Sequence, residues 1–448
     1  MKHNRKTMKT KTIIVTLALS SLITRVTAQE TQTPNDSMKM SINSLKKDID
    51  ILRKLKISGY IQAQYQLADS IGQNSFDGGS FAPNSDSRFM IRRGRVKFAY
   101  SNNLADYVIQ VNITDKGMNP TEVSAKITEP WTKWFGVKIG LFNRPFSFEV
   151  QQSSSVRETP ERARYLQTLL SNERDIGAAL VIEAPKNSKL HGLSFTGGFF
   201  NGTGIPSNGD YNNPNKPFYN DFDSFKDFIG RLSYNKSLKN DRVKFGLGLS
   251  HYNGKVRQYN NIVYSEISHT DNGTMTWVAS DTTQQQLTGK GAGRIFYGAD
   301  AQLSVKSPMG TTTLRGDFMC GQQPGTSSSS SSQAFEVKSS TYIRNFTGYS
   351  AVFVHRIGKS KHELAAKYAF YDPNTAVAGD QIGVAGSRLN ATDISFTEVG
   401  FGYTNYFNDN FKFMIYYNIV KNETSKNLAA YNNDLKDNVL TLRVQVKF

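Results

Sequence analysis

The chain has 448 residues, a formal net charge of +17 at pH 7 and a single cysteine, Cys320. One thiol can form neither an intramolecular disulfide nor a thiolate metal cluster, so neither can stabilise this fold. After the first 28 residues, no stretch approaches the length of uncharged apolar sequence that a transmembrane helix needs, which excludes a helical membrane protein.

Residues 1–28 are predicted to be a cleaved secretory signal peptide. Lys2, Arg5 and Lys6 provide a basic start, IIVTLALSSLI an apolar core, and Val26-Thr27-Ala28 a cleavage site of small residues. We therefore expect an exported protein.

Residues 29–56 are predicted to be a leader that contains one short amphipathic helix. Within residues 41–55, Ile42, Leu45, Ile49 and Leu52 recur at heptad-like spacing. Two heptads are too few to decide between a trimeric coiled-coil stub, a helix packed on the rim of the following domain, and a flexible leader.

From residue 57 to residue 448 the chain alternates between apolar and polar residues. In DYVIQVNIT, for example, Tyr107, Ile109 and Ile113 share one face, and Gln110 and Asn112 share the other. Segments of about 9–13 residues with this alternation are typical of membrane-spanning β-strands. Sixteen of them begin near Ile57, Arg88, Leu104, Thr121, Lys133, Ile176, Leu190, Phe225, Asp241, Arg294, Thr311, Thr341, His362, Thr392, Phe411 and Asn438.

The connections between these segments alternate between short and long, as in outer-membrane barrels, which have short inner turns and longer outer loops. The chain ends in TLRVQVKF, which resembles the terminal strand of such barrels. The sequence therefore predicts an all-β fold, a 16-stranded antiparallel transmembrane β-barrel over residues 57–448 in the outer membrane.

One irregular segment, residues 142–175, interrupts the alternation and is dense in charge; we call it the constriction loop. Its sequence, FNRPFSFEVQQSSSVRETPERARYLQTLLSNERD, holds five arginines, no lysine and a possible helical turn from Pro160 to Leu170. A segment this long without a strand is usually functional or disordered, and its phenylalanines and leucines argue against disorder. We expect this third long loop to fold into the pore and narrow it.

If the apolar faces of the strands contact lipid, the polar faces line water, and the inner faces carry more basic than acidic residues. Such a lumen concentrates anions. Inward placement of Arg93 requires a bulge near Gly94, because Phe89 and Ile91 share its parity. The candidate pore-lining residues for anions are Arg93, Arg95, Lys97 and Lys138 on the wall, with Arg144, Arg157, Arg162 and Arg164 in the constriction loop.

The alternative is a general, non-selective porin in which the wall arginines are structural. They would then pair with the carboxylates of the constriction loop and hold it in place. The carboxylates available for this are Glu149, Glu158, Glu161 and Glu173.

Four motifs, SRFMIRRGRVKF, VKIGLFNRPFSFE, ERARYL and ERDIGAAL, resemble those of the phosphate-selective porin O and P family. The resemblance covers residues 57–448, and its distinctive motifs lie between Arg88 and Ala179. It implies a trimeric outer-membrane channel for phosphate or polyphosphate, surrounded by lipid. Arg93, Arg95, Lys97 and Lys138 match the family as wall charges, whereas the family's lysine cluster has no counterpart in the constriction loop.

No motif predicts an enzyme, a metal, a cofactor or a nucleic-acid partner. None of the five histidines after residue 28 lies in a G-x-S-x-G or H-E-x-x-H context. A barrel-anchored surface adhesin is the alternative from another functional class. Its weakness is that the longest loop, from Asn253 to Gly293, has only about 40 residues.

Overall fold

The computed structural model describes residues 34–171, 173–204, 221–238, 240–280, 287–332 and 339–448. The chain divides into two compact units, Met1–Arg53 and Lys54–Phe448. The predicted signal peptide lies outside the described residues. In the part of the chain that the structure describes, no helix has both the length and the apolar character needed to cross a membrane.

The first unit contributes helix α1 (Pro34–Lys54), which begins earlier than the predicted segment 41–55. Its apolar stripe includes Ile42, Leu45 and Ile49, and between 44% and 59% of the surface of each side chain is exposed. The prediction of a short N-terminal helix is confirmed, and a coiled coil between copies stays a prediction.

The second unit is a closed β-barrel, as predicted. Sixteen of the described strands form its wall, and β1 pairs antiparallel with β18 to close it, with Tyr60 opposite Lys447 and Ala68 opposite Val439. The strands are β1 (Leu55–Ala68), β2 (Ser87–Ser101), β3 (Ala105–Thr114), β4 (Gly117–Thr128), β5 (Phe135–Asn143), β6 (Arg174–Glu183), β7 (Leu193–Phe200), β8 (Asp227–Leu238), β9 (Val243–Arg257), β10 (Val263–His269), β11 (Met275–Ala279), β12 (Gly291–Ser307), β13 (Gly310–Gly325), β14 (Thr341–Ile357), β15 (His362–Asp372), β16 (Phe396–Tyr406), β17 (Phe411–Asn422) and β18 (Val439–Lys447).

The wall has an apolar outer face and a polar inner face because successive residues of a strand point to opposite sides. On β9, Leu247 and Leu249 are 55% and 62% exposed on the outside, whereas Ser250 and Tyr252 are buried on the inside. This is the arrangement of a barrel whose outer face meets lipid.

Strands β10 and β11 are not part of the wall. They form a hairpin in the long connection between β9 and β12, which pair directly with each other. The hairpin contributes Tyr264 and Trp277 to an apolar cluster among the long connections at one end of the barrel, which we call the outer cluster. Its buried members are Tyr264, Trp277, Tyr342, Val377, Ile382, Leu389 and Ile394.

The constriction loop lies inside the barrel and forms a second apolar cluster with the wall, which we call the inner cluster. The constriction loop includes two short helices, α2 (Phe148–Gln151) and α3 (Arg164–Leu169). Full burial of a large apolar side chain contributes about 1.5–3 kcal/mol, so this packing helps to hold the loop in the pore. The cluster comprises Phe142, Phe146, Val150, Ala163, Tyr165, Leu166, Leu169, Leu170, Ala179, Phe200, Ile229, Tyr252, Phe296, Met319, Phe346, Ala369 and Tyr371.

Candidate functional site

The constriction loop is fastened to a distant part of the wall through Asp317 on β13, five strands away from β6. The hydroxyl of Ser147 donates to Oδ2 of Asp317 at 2.5 Å, and the hydroxyl of Tyr165 donates to Oδ1 at 3.0 Å. The backbone N–H of Ser147 also donates to the Ser250 hydroxyl on β9 at 3.0 Å. The loop therefore crosses the lumen instead of lying along one side of it.

Arg162 holds the loop in its own shape. Its guanidinium donates to the carbonyl oxygens of Glu149 at 2.7 Å and Val150 at 3.1 Å, and it forms an ion pair with Glu173. A guanidinium suits this task because its donors are fixed in one plane and it stays charged. Arg162 is buried among these partners, within the packing of the loop itself.

Glu161 is the point at which three wall arginines meet the loop. Its carboxylate oxygens lie 2.8 Å from Nε of Arg92, 2.8 Å from Nη2 of Arg93 and 3.0 Å from Nη2 of Arg443. All these groups except Arg92 are buried. A single carboxylate thus compensates three guanidinium charges only in part.

The bulge expected near Gly94 lies at Arg92. Gln62 of β1 faces Arg93, but the next residue, Ala63, faces Ile91, so Arg92 has no partner in the ladder. The extra residue reverses the parity of the strand, as a bulge does. Ile91 consequently faces outward, Arg93 faces the lumen, and Arg92 also reaches Glu161.

Two further predicted residues, Arg95 and Arg157, have no carboxylate partner within the described part of the chain. Arg95 lies over the ring of Tyr60, with 5.9 Å from Cζ to the ring centroid, and its Nε lacks a hydrogen-bond partner. Arg157 is only 3% exposed, and none of its three guanidinium nitrogens has a hydrogen-bond partner. Its carbonyl oxygen accepts a hydrogen bond from Nζ of Lys412 at 3.3 Å.

The guanidinium groups of these arginines are close enough to interact electrostatically, and we call this group the arginine cluster. It consists of Arg92, Arg93, Arg95, Arg157 and Arg443 around Glu161. Among the described residues, Glu161 is the only carboxylate in direct contact with these five arginines, so the cluster has an excess of positive charge. The like charges repel one another. Lys97, half-buried on the same strand as Arg95, has no ion pair within the described ranges.

Lys138 lies apart from the arginine cluster, on β5. Its Nζ is 2.9 Å from Oε1 of Glu122 and 4.7 Å from the ring centroid of Phe142. The pair borders a cavity of about 340 Å³ between the start of the constriction loop and strands β4–β8, which Thr196 and Arg231 also line. This cavity is open space beside the loop.

Arg144, near the start of the loop, and Arg164, at the start of helix α3, are both buried. Nε of Arg144 is 3.5 Å from Oδ2 of Asp175. Arg164 lies between two rings, with 3.6 Å from its Cζ to the centroid of Phe396 and 4.5 Å to that of Phe76. Arg164 thereby connects the constriction loop to the first long loop, which contains Phe76.

Two carboxyl groups of the outer loops act on Arg164, namely Asp77 and Asp437. Burial, reinforced by the charge of Glu398, raises the pKa of Asp77 to about 6. Burial also raises the pKa of Asp437 to about 7, although the charge of Arg164 opposes the shift. Both groups therefore titrate near neutral pH.

Sequence reasoning missed two parts of this site. It assigned Arg92 to the outside, because strict alternation does not account for the bulged residue. It also did not identify two carboxylates of the wall, Glu122 and Glu398, that pair with inward lysines. In the structure Glu398 pairs with Lys367 at 3.5 Å, so more of the wall charge is compensated than expected.

No family model matches the sequence, and no curated protein sequence matches it. Solved structures do match. The outer membrane channel DcaP of Acinetobacter baumannii has 10% sequence identity and a TM-score of 0.50, over 88% of this chain and 97% of the other. Salmonella typhi OmpF, solved in complex with daunomycin, has 12% identity and a TM-score of 0.50, again over 88% and 97%. At this identity the likeness concerns the fold: the chain is a closed 16-stranded barrel of the kind found in outer-membrane porins.

Proposed function

We propose that this protein is an outer-membrane porin for passive diffusion of small hydrophilic solutes, with a preference for anions such as phosphate or polyphosphate. The observation that supports the anion preference most directly is the lack of a carboxylate partner at Arg95 and Arg157 within the described residues. The proposal also follows the resemblance of the four motifs to the phosphate-selective porin O and P family.

The mechanism is steric sieving combined with an electric field, and it involves no chemical step. The constriction loop limits the size of the solute. Arg95 and Lys97 are half-buried and can contact a solute, whereas the buried Arg157 acts through its charge. Low-dielectric walls around a lumen of one sign strengthen this field and raise the local anion concentration.

A general porin is the second candidate, and specific contacts favour it. Arg93 pairs with Glu161, Lys138 with Glu122, and Arg315 with Glu158, each within 2.9 Å. If such pairing also dominated the field in the open passage, the arginines would be structural and the channel would be nearly unselective.

The remaining parts of the proposal concern location and assembly. We propose export by the signal peptide of residues 1–28, insertion into the outer membrane, and a homotrimer surrounded by lipid. Of the eight predicted pore-lining residues, Arg95 and Lys97 are proposed to contact anions directly. The other six are proposed to contribute through their charge: Arg93, Lys138, Arg144, Arg157, Arg162 and Arg164. We favour a channel over a barrel-anchored adhesin because the loop of residues 142–175 packs inside the barrel and leaves open space beside it.

The test is the zero-current potential of the purified protein in a planar bilayer under a potassium chloride gradient, with and without phosphate. We expect a chloride-selective potential and block of the chloride current by phosphate. Arg95→Gln and Arg157→Gln should each reduce the selectivity. Lys116→Gln, which removes an exposed positive charge at the turn between β3 and β4, is the matched control and should leave it unchanged.

A potential near zero without phosphate block would reject the anion preference in favour of a general porin. Equal effects of the Lys116 and Arg95 variants would show that net charge, and not the arginine cluster, sets the selectivity. Absence of channels from correctly folded, inserted protein would reject the porin and favour the adhesin.

A further inference from the structure

Two basic residues point away from the lumen at the outer end of β9. The odd-numbered residues of this strand face outward, as the exposure of Leu247 and Leu249 shows, and Lys255 and Arg257 continue that series. Lys255 is exposed and Arg257 is half-buried. Neither forms an ion pair within the described part of the chain, in contrast to most basic residues of the lumen.

Strand β12, which pairs with β9, shows where Lys255 and Arg257 lie along the barrel axis relative to the apolar band. Its outward apolar residues run from Val305 to Ile295, ten positions that rise about 25 Å at about 3.3 Å per residue and a tilt of about 40°. This equals the height of the apolar band of an outer-membrane barrel. Lys255 pairs with Gly293 and Arg257 with Gly291, two and four residues above Ile295. Both cations are therefore at headgroup level.

The top of the apolar band carries an aromatic pair. The rings of His251 and Tyr297 stack with their centroids 5.0 Å apart on the outer face. Aromatic side chains form girdles at the boundary between hydrocarbon and headgroups. Their position independently places the boundary below Lys255.

The side chain of Lys255 is also held in a defined position. A Cβ on Gly291 would lie 2.8 Å from both Cβ and Cδ of Lys255, so the lysine stem lies across this glycine. Two acids lie close to the backbone of these residues. Asp223 accepts the backbone N–H of Arg257 at 3.1 Å, and Asp227, which pairs with Arg294 on the lumen side, accepts the backbone N–H of Lys255 at 3.0 Å. Neither carboxylate forms an ion pair with the Lys255 ammonium.

An apolar furrow begins below the aromatic pair. Ala299 and Ala301 of β12 and Gly316 of β13 form its floor, between the leucines of β9 and Phe318 of β13. The associated cavity has a volume of about 630 Å³. The backbones of β9 and β13 are two strand spacings apart, about 9.6 Å, so the furrow between them accommodates an extended acyl chain.

We propose that the outer face of β9, β12 and β13 is a binding site for a phosphorylated, multi-acyl lipid of the outer leaflet, of the lipid A type. Lys255 and Arg257 contact the phosphate, and an acyl chain occupies the furrow over Ala299 and Ala301. Ammonium and guanidinium groups form strong charge-assisted hydrogen bonds with phosphate. The proposal rests on the barrel being in the outer membrane and is independent of the solute preference.

The test is a titration of the detergent-purified, delipidated barrel by native mass spectrometry with three probes: bisphosphorylated lipid A, lipid A without phosphates, and inorganic phosphate. The variants are Lys255→Gln/Arg257→Gln, Ala299→Leu to fill the furrow, and Lys306→Gln as the matched control at the inner end of β12. Heat-modifiable migration on gels confirms that each variant is folded.

We expect lipid A binding to weaken at least tenfold in the double variant and in Ala299→Leu, and to be unchanged in Lys306→Gln. Dephosphorylated lipid A should bind wild type at least tenfold more weakly and should not respond to the double variant. Equal binding of lipid A to all folded variants would overturn the site. Full competition by inorganic phosphate would also overturn it, because a simple anion site would then suffice.

Discussion

The three-fold contact at Glu161 makes Glu161→Gln the most informative substitution. The change keeps the shape of the side chain but removes the only negative charge in direct contact with the arginine cluster among the described residues. Two consequences follow, one for the position of the constriction loop and one for the field in the lumen.

The loop loses its attachment to β2 and β18. One ion pair at about 4 Å is worth about 4 kcal/mol at an effective dielectric constant of about 20, and removal of one partner of a buried pair destabilises by about 3–5 kcal/mol. The inner cluster still holds the middle of the loop. We therefore expect a folded barrel with a looser loop near Pro160, larger current fluctuations and a higher mean conductance.

The lumen also gains one positive charge. In water, a unit charge about 7 Å away changes the energy of a monovalent ion by about 0.6 kcal/mol, close to RT. Anions gain this amount and cations lose it, so the ratio of anion to cation permeability should rise about sevenfold.

The assay is the zero-current potential together with single-channel conductance. Glu158→Gln, which removes the partner of Arg315 alone, is the matched control: it adds the same charge to the lumen but keeps the attachment of the loop to β2 and β18, so its effect on conductance should be smaller. Unchanged selectivity and conductance in a folded Glu161→Gln channel would refute the claim that solutes experience the arginine cluster.

Three other predictions concern the loop and the outer mouth. Deletion of residues 150–170 should raise single-channel conductance, and an unchanged value in a folded, inserted variant would show that the constriction lies elsewhere. Phe146→Ala should destabilise the inner cluster by about 3–5 kcal/mol, because the side chain is fully buried, and should lower the midpoint of heat modifiability; Phe89→Ala, on the exposed outer face, is the control. The raised pKa values of Asp77 and Asp437, about 6 and about 7, mean that these carboxyl groups bind protons more tightly when the outer loops are packed on the barrel than when the loops are released from it. The stability of this packing should therefore be greatest below about pH 4, where both carboxyl groups are protonated whether or not the loops are packed, and should fall as the pH rises to about 7. The loss should appear as more frequent current fluctuations at pH 8 than at pH 5; Asp437→Asn should flatten this dependence, and a wild-type channel equally quiet at both pH values would contradict it.

The barrel was predictable because each wall strand carries its own signal. All sixteen wall strands begin within four residues of the predicted positions. The hairpin β10–β11 was not predicted, because strands of seven and five residues are too short to stand out in a polar loop. Their stability comes from the outer cluster, where Trp277 and Tyr342 meet residues distant in sequence.

The site was predictable only as a set of charges. The sequence indicated that Arg93 and Arg95 line the lumen, but it did not show that Arg93 has a carboxylate partner and Arg95 has none. Such pairing depends on how a thirty-residue loop folds across the barrel, and on one bulged residue, Arg92, that alternation treats as outward. Both features depend on contacts between separate segments of the chain, and the residue pattern of a single strand does not contain this information.

In the proposed outer-membrane location, the outer cluster restricts how the long connections of the barrel can vary in sequence. Loops of surface barrels usually vary freely, because few buried contacts restrict them. Here Ile382, Leu389 and Ile394 are core residues of a loop, so substitutions among them would unfold the hairpin they support. Variation under antibody or phage pressure should therefore concentrate at the hairpin tip, Thr270 to Thr274, where the turn is exposed. The same tip is the position of choice for inserting an epitope tag.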